Sequence, residues 1–162
     1  MGTYFNPSNG GFRKASRDEI YVDKTGLINI LNRRLMAEKN CISVSHARRF
    51  GKSQAARMID AYYSRGCDSR ELFTDLKISE SEDFLKHLNK YNVIHIDMAS
   101  MTDGHSDDFL ENMKRKLYED INEELNTEIN PVQDISETRN KIYKKTKASF
   151  VIIIDECDCI VR

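Results

Sequence analysis

Polyphosphate chemistry needs an anion cradle, a cation and a hydroxyl for Mg²⁺. The segment Arg48-Arg49-Phe50-Gly51-Lys52-Ser53-Gln54 offers all three kinds of group. Backbone N–H groups at a helix N-terminus bind phosphate, a lysine neutralises the β- and γ-phosphates, and a serine hydroxyl ligates the metal. Gly51, Lys52 and Ser53 supply the second half of the phosphate-loop pattern G-x-x-x-x-G-K-[ST]; its first glycine falls on His46, so the pattern is degenerate. Arg48 and Arg49 can contact phosphates as forked donors, or can be ordinary solvated loop arginines. A second group, Asp155-Glu156, closes the apolar run Val151-Ile152-Ile153-Ile154. Carboxylates at the C-terminal tip of a parallel strand face the crevice where α/β proteins bind ligands. There Asp155 can hold Mg²⁺ through a water, and Glu156 can orient and deprotonate an attacking water. A strand that ends in solvated acids gives the same pair; the lysine loop upstream favours phosphoryl transfer.

Other reactive side chains read as structural. His95 and Asp97 alternate onto one face of a predicted strand, with no matching base or nucleophile in view. His87 and His105 read as surface residues. Cys41, Cys67, Cys157 and Cys159 do not form a disulfide framework, and Cys157-Asp158-Cys159 lacks the spacer and second pair of a zinc site, so free or structural thiols are expected.

The elements that must position these groups follow from periodicity. The first 22 residues carry turn chemistry in Asn6-Pro7 and Asn9-Gly10-Gly11. Leu27, Ile28, Leu31 and Leu35 predict a helix from Lys24 to Lys39, with Asp23 or Thr25 as cap. Cys41 to Ser45 reads as a short strand leading into the lysine loop. Behind that loop, Ala55, Met58, Ile59, Tyr62 and Tyr63 form the stripe of an amphipathic helix ending at Gly66. Short helices are expected at Ser69–Phe73 and Ser81–Leu88, the second with a Ser79/Glu82 capping box. Val93 to Met98 reads as an edge strand. Long helices are expected at Ser106–Leu125 and Ile135–Thr146, and Phe150 to Ile154 as a strand buried on both faces. This alternation gives an α/β layered fold with a mainly parallel sheet.

Composition limits the function classes. The 162 residues carry 25 Lys+Arg against 26 Asp+Glu, a formal charge of −1 that leaves no bulk positive field for direct nucleic-acid binding. The longest apolar run is far too short to cross a bilayer, so no membrane partner is expected, and a cytoplasmic location is.

Tyr4-Phe5-Asn6-Pro7, Glu19-Ile20-Tyr21-Val22-Asp23-Lys24-Thr25-Gly26, Arg48-Arg49-Phe50-Gly51-Lys52-Ser53, Tyr62-Tyr63-Ser64-Arg65-Gly66-Cys67 and Ile154-Asp155-Glu156 together resemble the prokaryotic AAA-ATPase-like proteins. The resemblance implies a P-loop NTPase-like three-layer sandwich of the additional-strand, catalytic-glutamate type. It implies ATP and Mg²⁺ as cofactors, the nucleotide held around Arg48 to Gln54, and Lys52 on the phosphates. Ser53 and Asp155 would serve the metal and Glu156 the nucleophilic water. It also implies a PD-(D/E)XK nuclease-like domain following in the parent protein. Where the family usually has Arg-Pro this chain has His46-Ala47, and Cys157 stands where the family often places an aromatic.

In the related ATPases a further strand follows the acidic pair and inserts beside the lysine-loop strand. Residues 1–40 are therefore expected as a turn region and helix leading into the core, and 41–162 as an incomplete N-terminal part of an AAA-like domain, truncated after the acidic (Walker B) strand. Apolar sheet surface should then be exposed, with self-association as a consequence and no turnover by this piece alone. The expected function is an ATP-binding, Mg²⁺-dependent ATPase domain driving conformational change in a larger protein. The alternatives are a nucleotide-sensing switch that does not hydrolyse, or a degenerate interaction module.

Overall fold

The computed structural model of the chain describes residues 2–45, 49–101, 109–130 and 135–156. His46, Ala47, Arg48, His105, Cys157 and Cys159 lie outside the described residues.

Two parallel strands organise the chain: β1 (Asn92–Asp97) and β2 (Phe150–Asp155), in register from Asn92 opposite Phe150 to Asp97 opposite Asp155. Helix α3 (Lys52–Tyr63) packs on one face. Its Met58, Ala61, Tyr62 and Tyr63 are buried with Val93, Phe12 and Phe73, and Val151 and Ile153 pack against them. The other face carries α7 (Phe109–Leu125) and α8 (Ile135–Thr146), whose Tyr118, Ile121, Leu125 and Ile142 enclose Phe5 against Ile94 and Phe150. Helices on both faces of a parallel pair make the α/β layering expected from the alternation of elements.

Shorter elements brace the α3 face. They are α1 (Gly10–Ala15), α2 (Gly26–Arg34), α4 (Arg70–Phe73), a 3-10 turn at Lys77–Glu80 and α5 (Phe84–His87). Phe12, on α1, stacks on Phe73 with ring centroids 4.9 Å apart, so the predicted N-terminal turn region holds a helix with a core side chain. The turn-rich composition hid it. Helix α2 is shorter than the predicted Lys24–Lys39. In place of the Ser79/Glu82 capping box the chain has the 3-10 turn, which hangs from Asp23 and Thr25 rather than from its own cap.

Two sheet expectations are corrected. Residues 41–45 are exposed and irregular, not a strand; among the described residues no strand pairs with them or with the outer edge of β2. A short apolar run holds strand conformation only when a neighbour takes its hydrogen bonds. For the same reason β2 is not buried on both faces: Ile152 and Ile154 are 62% and 56% exposed, and Ile42 and Val44 are exposed too. Exposed apolar sheet surface is what the sequence led us to expect. β1 is an edge strand of the pair, as expected, and Tyr4–Asn6 bridges its outer side antiparallel. Asn6 N donates to Val93 O at 2.7 Å, and His95 N donates to Tyr4 O at 2.8 Å.

Candidate functional site

Two contacts set the direction of α3. Ser64, just past its end, bridges to Tyr91 ahead of β1; one turn earlier, Asp60 Oδ2 meets His95 Nδ1 at 2.6 Å in the middle of β1. The helix therefore runs back along the sheet, against the strand direction. From Asp60 to Ser53 it climbs roughly 10 Å at 1.5 Å per residue, whereas β1 has only roughly 7 Å left between His95 and Asp97. The first turn of α3, carrying Lys52, Ser53 and Gln54, thus lies toward the end of the sheet where Asp97 and Asp155 face each other in register.

Gly51 caps α3 at φ 76°, ψ 36°, a left-handed geometry that glycine takes without cost and a Cβ would strain. Arg49 is also left-handed, at φ 67°. The first turn of α3 holds no acid, so nothing of its own neutralises the positive end of the helix dipole there. Arg49, Phe50, Ser53 and Gln54 are exposed, and Gly51 and Lys52 half-buried. Lys24, from the far end of the N-terminal segment, donates its ammonium to the Phe50 carbonyl. Beside it opens a cavity of about 180 Å³, lined by Ala15, Ile20, Tyr21, Lys24, Gly51 and Gln54 among others. Burial, then the Asp23 carboxylate, pushes the Tyr21 hydroxyl up to about 12, so it lines the cavity as a neutral donor.

At the acidic end, Asp155 closes β2 half-buried. Its Oδ1 accepts from Glu156 N at 3.0 Å, and Glu156 turns off the strand at φ 52°. Asp97 similarly accepts from Ala99 N at 3.1 Å, where α6 (Met98–Met101) begins.

Sequence reasoning missed the partner of His95. Asp60 lies on the buried side of α3, its side chain 5% exposed, and its second oxygen, Oδ1, has no donor among the described residues. The available signal was an acid beside Met58, Ala61 and Tyr62 on an otherwise apolar stripe. Burial, only partly offset by His95 and Arg57, pushes the Asp60 carboxyl above its usual range. Burial works against the imidazolium of His95, but the Asp60 carboxylate outweighs it, aided by Asp155 and Asp97, and holds His95 above its ordinary value. His87 is also no surface residue: it is buried, with Nδ1 2.6 Å from the Tyr91 hydroxyl.

Both shifts act on stability in the same sense. A histidine raised in the folded state favours folding below its unfolded value of about 6.5, and that contribution fades as pH climbs through the folded value. An aspartate raised in the folded state opposes folding once pH exceeds its unfolded value of about 3.9. Thermal unfolding is therefore expected at falling temperature from about pH 6 to about pH 8, with a flatter profile in His95→Gln. A flat wild-type profile, or the same slope in the variant, contradicts this.

Among the described residues no helix is long and apolar enough to cross a membrane, and no group of three or more His, Cys, Asp or Glu is placed to hold a metal ion. No curated protein and no solved structure matches the chain. A family model described as Predicted AAA-ATPase matches residues 11–162, which takes in the lysine loop, α3, both strands and the acidic pair. The chain belongs to the Predicted AAA-ATPase family.

Proposed function

We propose that this chain is the nucleotide-binding part of a P-loop-type ATPase domain that drives conformational change in a larger protein. The observation that carries the reading is the direction of α3, which brings Lys52 and Ser53 toward the sheet end where Asp155 and Glu156 emerge. A triphosphate would lie on the N-terminal amides of α3, with Lys52 and the arginines at 48 and 49 as cations. The base would enter the cavity beside Tyr21 and Gln54. At about 180 Å³ that cavity is smaller than the roughly 300–1,000 Å³ of whole-ligand pockets, which suits a base whose phosphates lie outside it.

The residues fit Mg²⁺ as a nucleotide-borne ion. Mg²⁺ keeps most of its waters and takes one or two protein oxygens beside the phosphates, so Ser53 and Asp155 suffice without a dedicated cluster. When bound, the ion neutralises charge on the β- and γ-phosphates. Glu156, half-exposed past the strand end, would orient a water and accept its proton. A following nuclease-like domain is the partner we propose for the coupled motion.

Equilibrium titration with Mg²⁺-ATP tests the reading. Micromolar-range binding is expected, weakened roughly 100-fold in Lys52→Ala by loss of a charged contact of about 3 kcal/mol. Full affinity in that variant would remove Lys52 from the phosphate site. Where phosphate release is measurable, Glu156→Gln should abolish it while ATP still binds; undiminished release would leave the glutamate without a catalytic part.

A further inference from the structure

We propose that Lys24 is a positioning residue of the nucleotide site: it holds the loop ahead of α3 in its binding conformation and places a second cation at the phosphate end. The proposal rests on the phosphate-site reading above and adds a residue that the lysine-loop pattern does not contain.

Lys24 lies 26 residues before Phe50, yet its ammonium donates to the Phe50 carbonyl. It also sits against Gly51 so closely that a Cβ built there would lie 2.7 Å from Nζ. Gly51 is thus favoured by its left-handed φ of 76°, and a Cβ there would displace the end of the Lys24 side chain from its contact. The carbonyl that Lys24 holds belongs to the residue before this cap, so the contact fixes the peptide plane from which α3 starts.

The residues on both sides of Lys24 are held by hydrogen bonds. Asp23 Oδ1 accepts from Thr25 N at 2.8 Å and from Thr25 Oγ1 at 2.7 Å, while Oδ2 accepts from Lys77 N at 2.9 Å. Thr25 is fully buried, and its Oγ1 accepts from Ile78 N at 3.1 Å. Burial works against the Asp23 carboxylate, but these donors from Lys77 and Thr25 outweigh it and hold its pKa below the usual value. Asp23-Lys24-Thr25 therefore forms a fixed bracket that aims one lysine at the loop.

The electrostatics ask for an anion. A cation is disfavoured at a helix N-terminus, and the first turn of α3 contains no acid of its own beside Lys24. Lys24 also lines the cavity together with Gly51 and Gln54, at the junction between the base and phosphate parts of the proposed site. The polyphosphate of a nucleoside triphosphate would bring negative charge to Lys24 at that junction.

The test uses the whole 162-residue chain, with amide hydrogen exchange across residues 49–53 in the nucleotide-free state and titrations with ATP and AMP. Lys24→Met is expected to speed loop exchange about tenfold at an unchanged unfolding temperature, and to weaken ATP about tenfold with AMP little affected. Lys24→Arg, which keeps the donor and the charge, should restore most of both. Loop exchange at the wild-type rate in Lys24→Met overturns the proposal, as does an equal loss for ATP and AMP. A wild-type chain that binds no ATP overturns the phosphate-site reading and the cationic half of this one; the exchange rates still decide whether Lys24 holds the loop.

Discussion

Asp60→Ala is expected to lower the free energy of unfolding by about 3–5 kcal/mol, the usual cost of breaking a buried charged pair from one side. The substitution strips His95 of its 2.6 Å partner while its side chain stays only 16% exposed, leaving a polar ring against the sheet with nothing to bond. That loss would consume about a fifth or more of a typical domain's stability of roughly 5–15 kcal/mol. Asp60→Asn, which keeps the volume and a hydrogen-bonding oxygen, should cost clearly less. The double variant Asp60→Ala/His95→Leu should be less damaged than the sum of its parts, because the orphaned ring is gone. Urea unfolding of the wild type, these variants and the single variant His95→Leu measures all of this. Strict additivity would mean that the two side chains do not act as a pair. Functionally the pair pins the middle of α3 to β1, and so fixes how far Lys52 and Ser53 project toward Asp155.

The second large effect belongs to Tyr62, which is fully buried where α2, α3 and α5 meet. Its ring packs edge-on to Tyr63 at 4.9 Å and to Phe73 at 5.4 Å, and its hydroxyl donates to Phe84 O at 2.8 Å. Truncation to alanine should cost about 3–5 kcal/mol, from lost burial and an unfilled cavity. Tyr62→Phe keeps the ring and leaves the Phe84 carbonyl without this donor, for about 1–2 kcal/mol. Equal losses in the two variants would place the energy in the hydroxyl rather than the ring. Asn32 binds the neighbouring tyrosine by accepting from the Tyr63 hydroxyl at 2.7 Å, so the paired tyrosines also fix α2 and the Lys24 bracket ahead of it. Tyr62-Tyr63, one of the blocks that carried the family resemblance, is thus architectural.

Much of the frame was legible because it is local. The stripe Met58, Tyr62 and Tyr63 at helical spacing predicts α3, and its predicted face is the buried one. Ile135–Thr146 is a helix over the predicted span. The 92–97 and 150–155 strands announce themselves by β-branched residues, and their parallel pairing follows from the helices between them. What failed were elements whose stability is borrowed. Residues 41–45 have strand composition but no ladder partner among the described residues, and Phe12 anchors a helix amid turn-forming residues only because Phe73 receives it.

By itself the sequence determined the α/β class, the lysine-loop helix, the acidic strand end and their order along the chain, since periodicity and residue type act over a few neighbours. Only the tertiary structure decided which distant groups meet. It set Asp60 against His95, hung the 3-10 turn from Asp23 and Thr25, and brought the Lys24 ammonium to the Phe50 carbonyl. The physical reason is that such contacts join residues tens of positions apart. They form only once the apolar faces of α3 and the sheet have packed, and no spacing rule encodes a distance that packing creates.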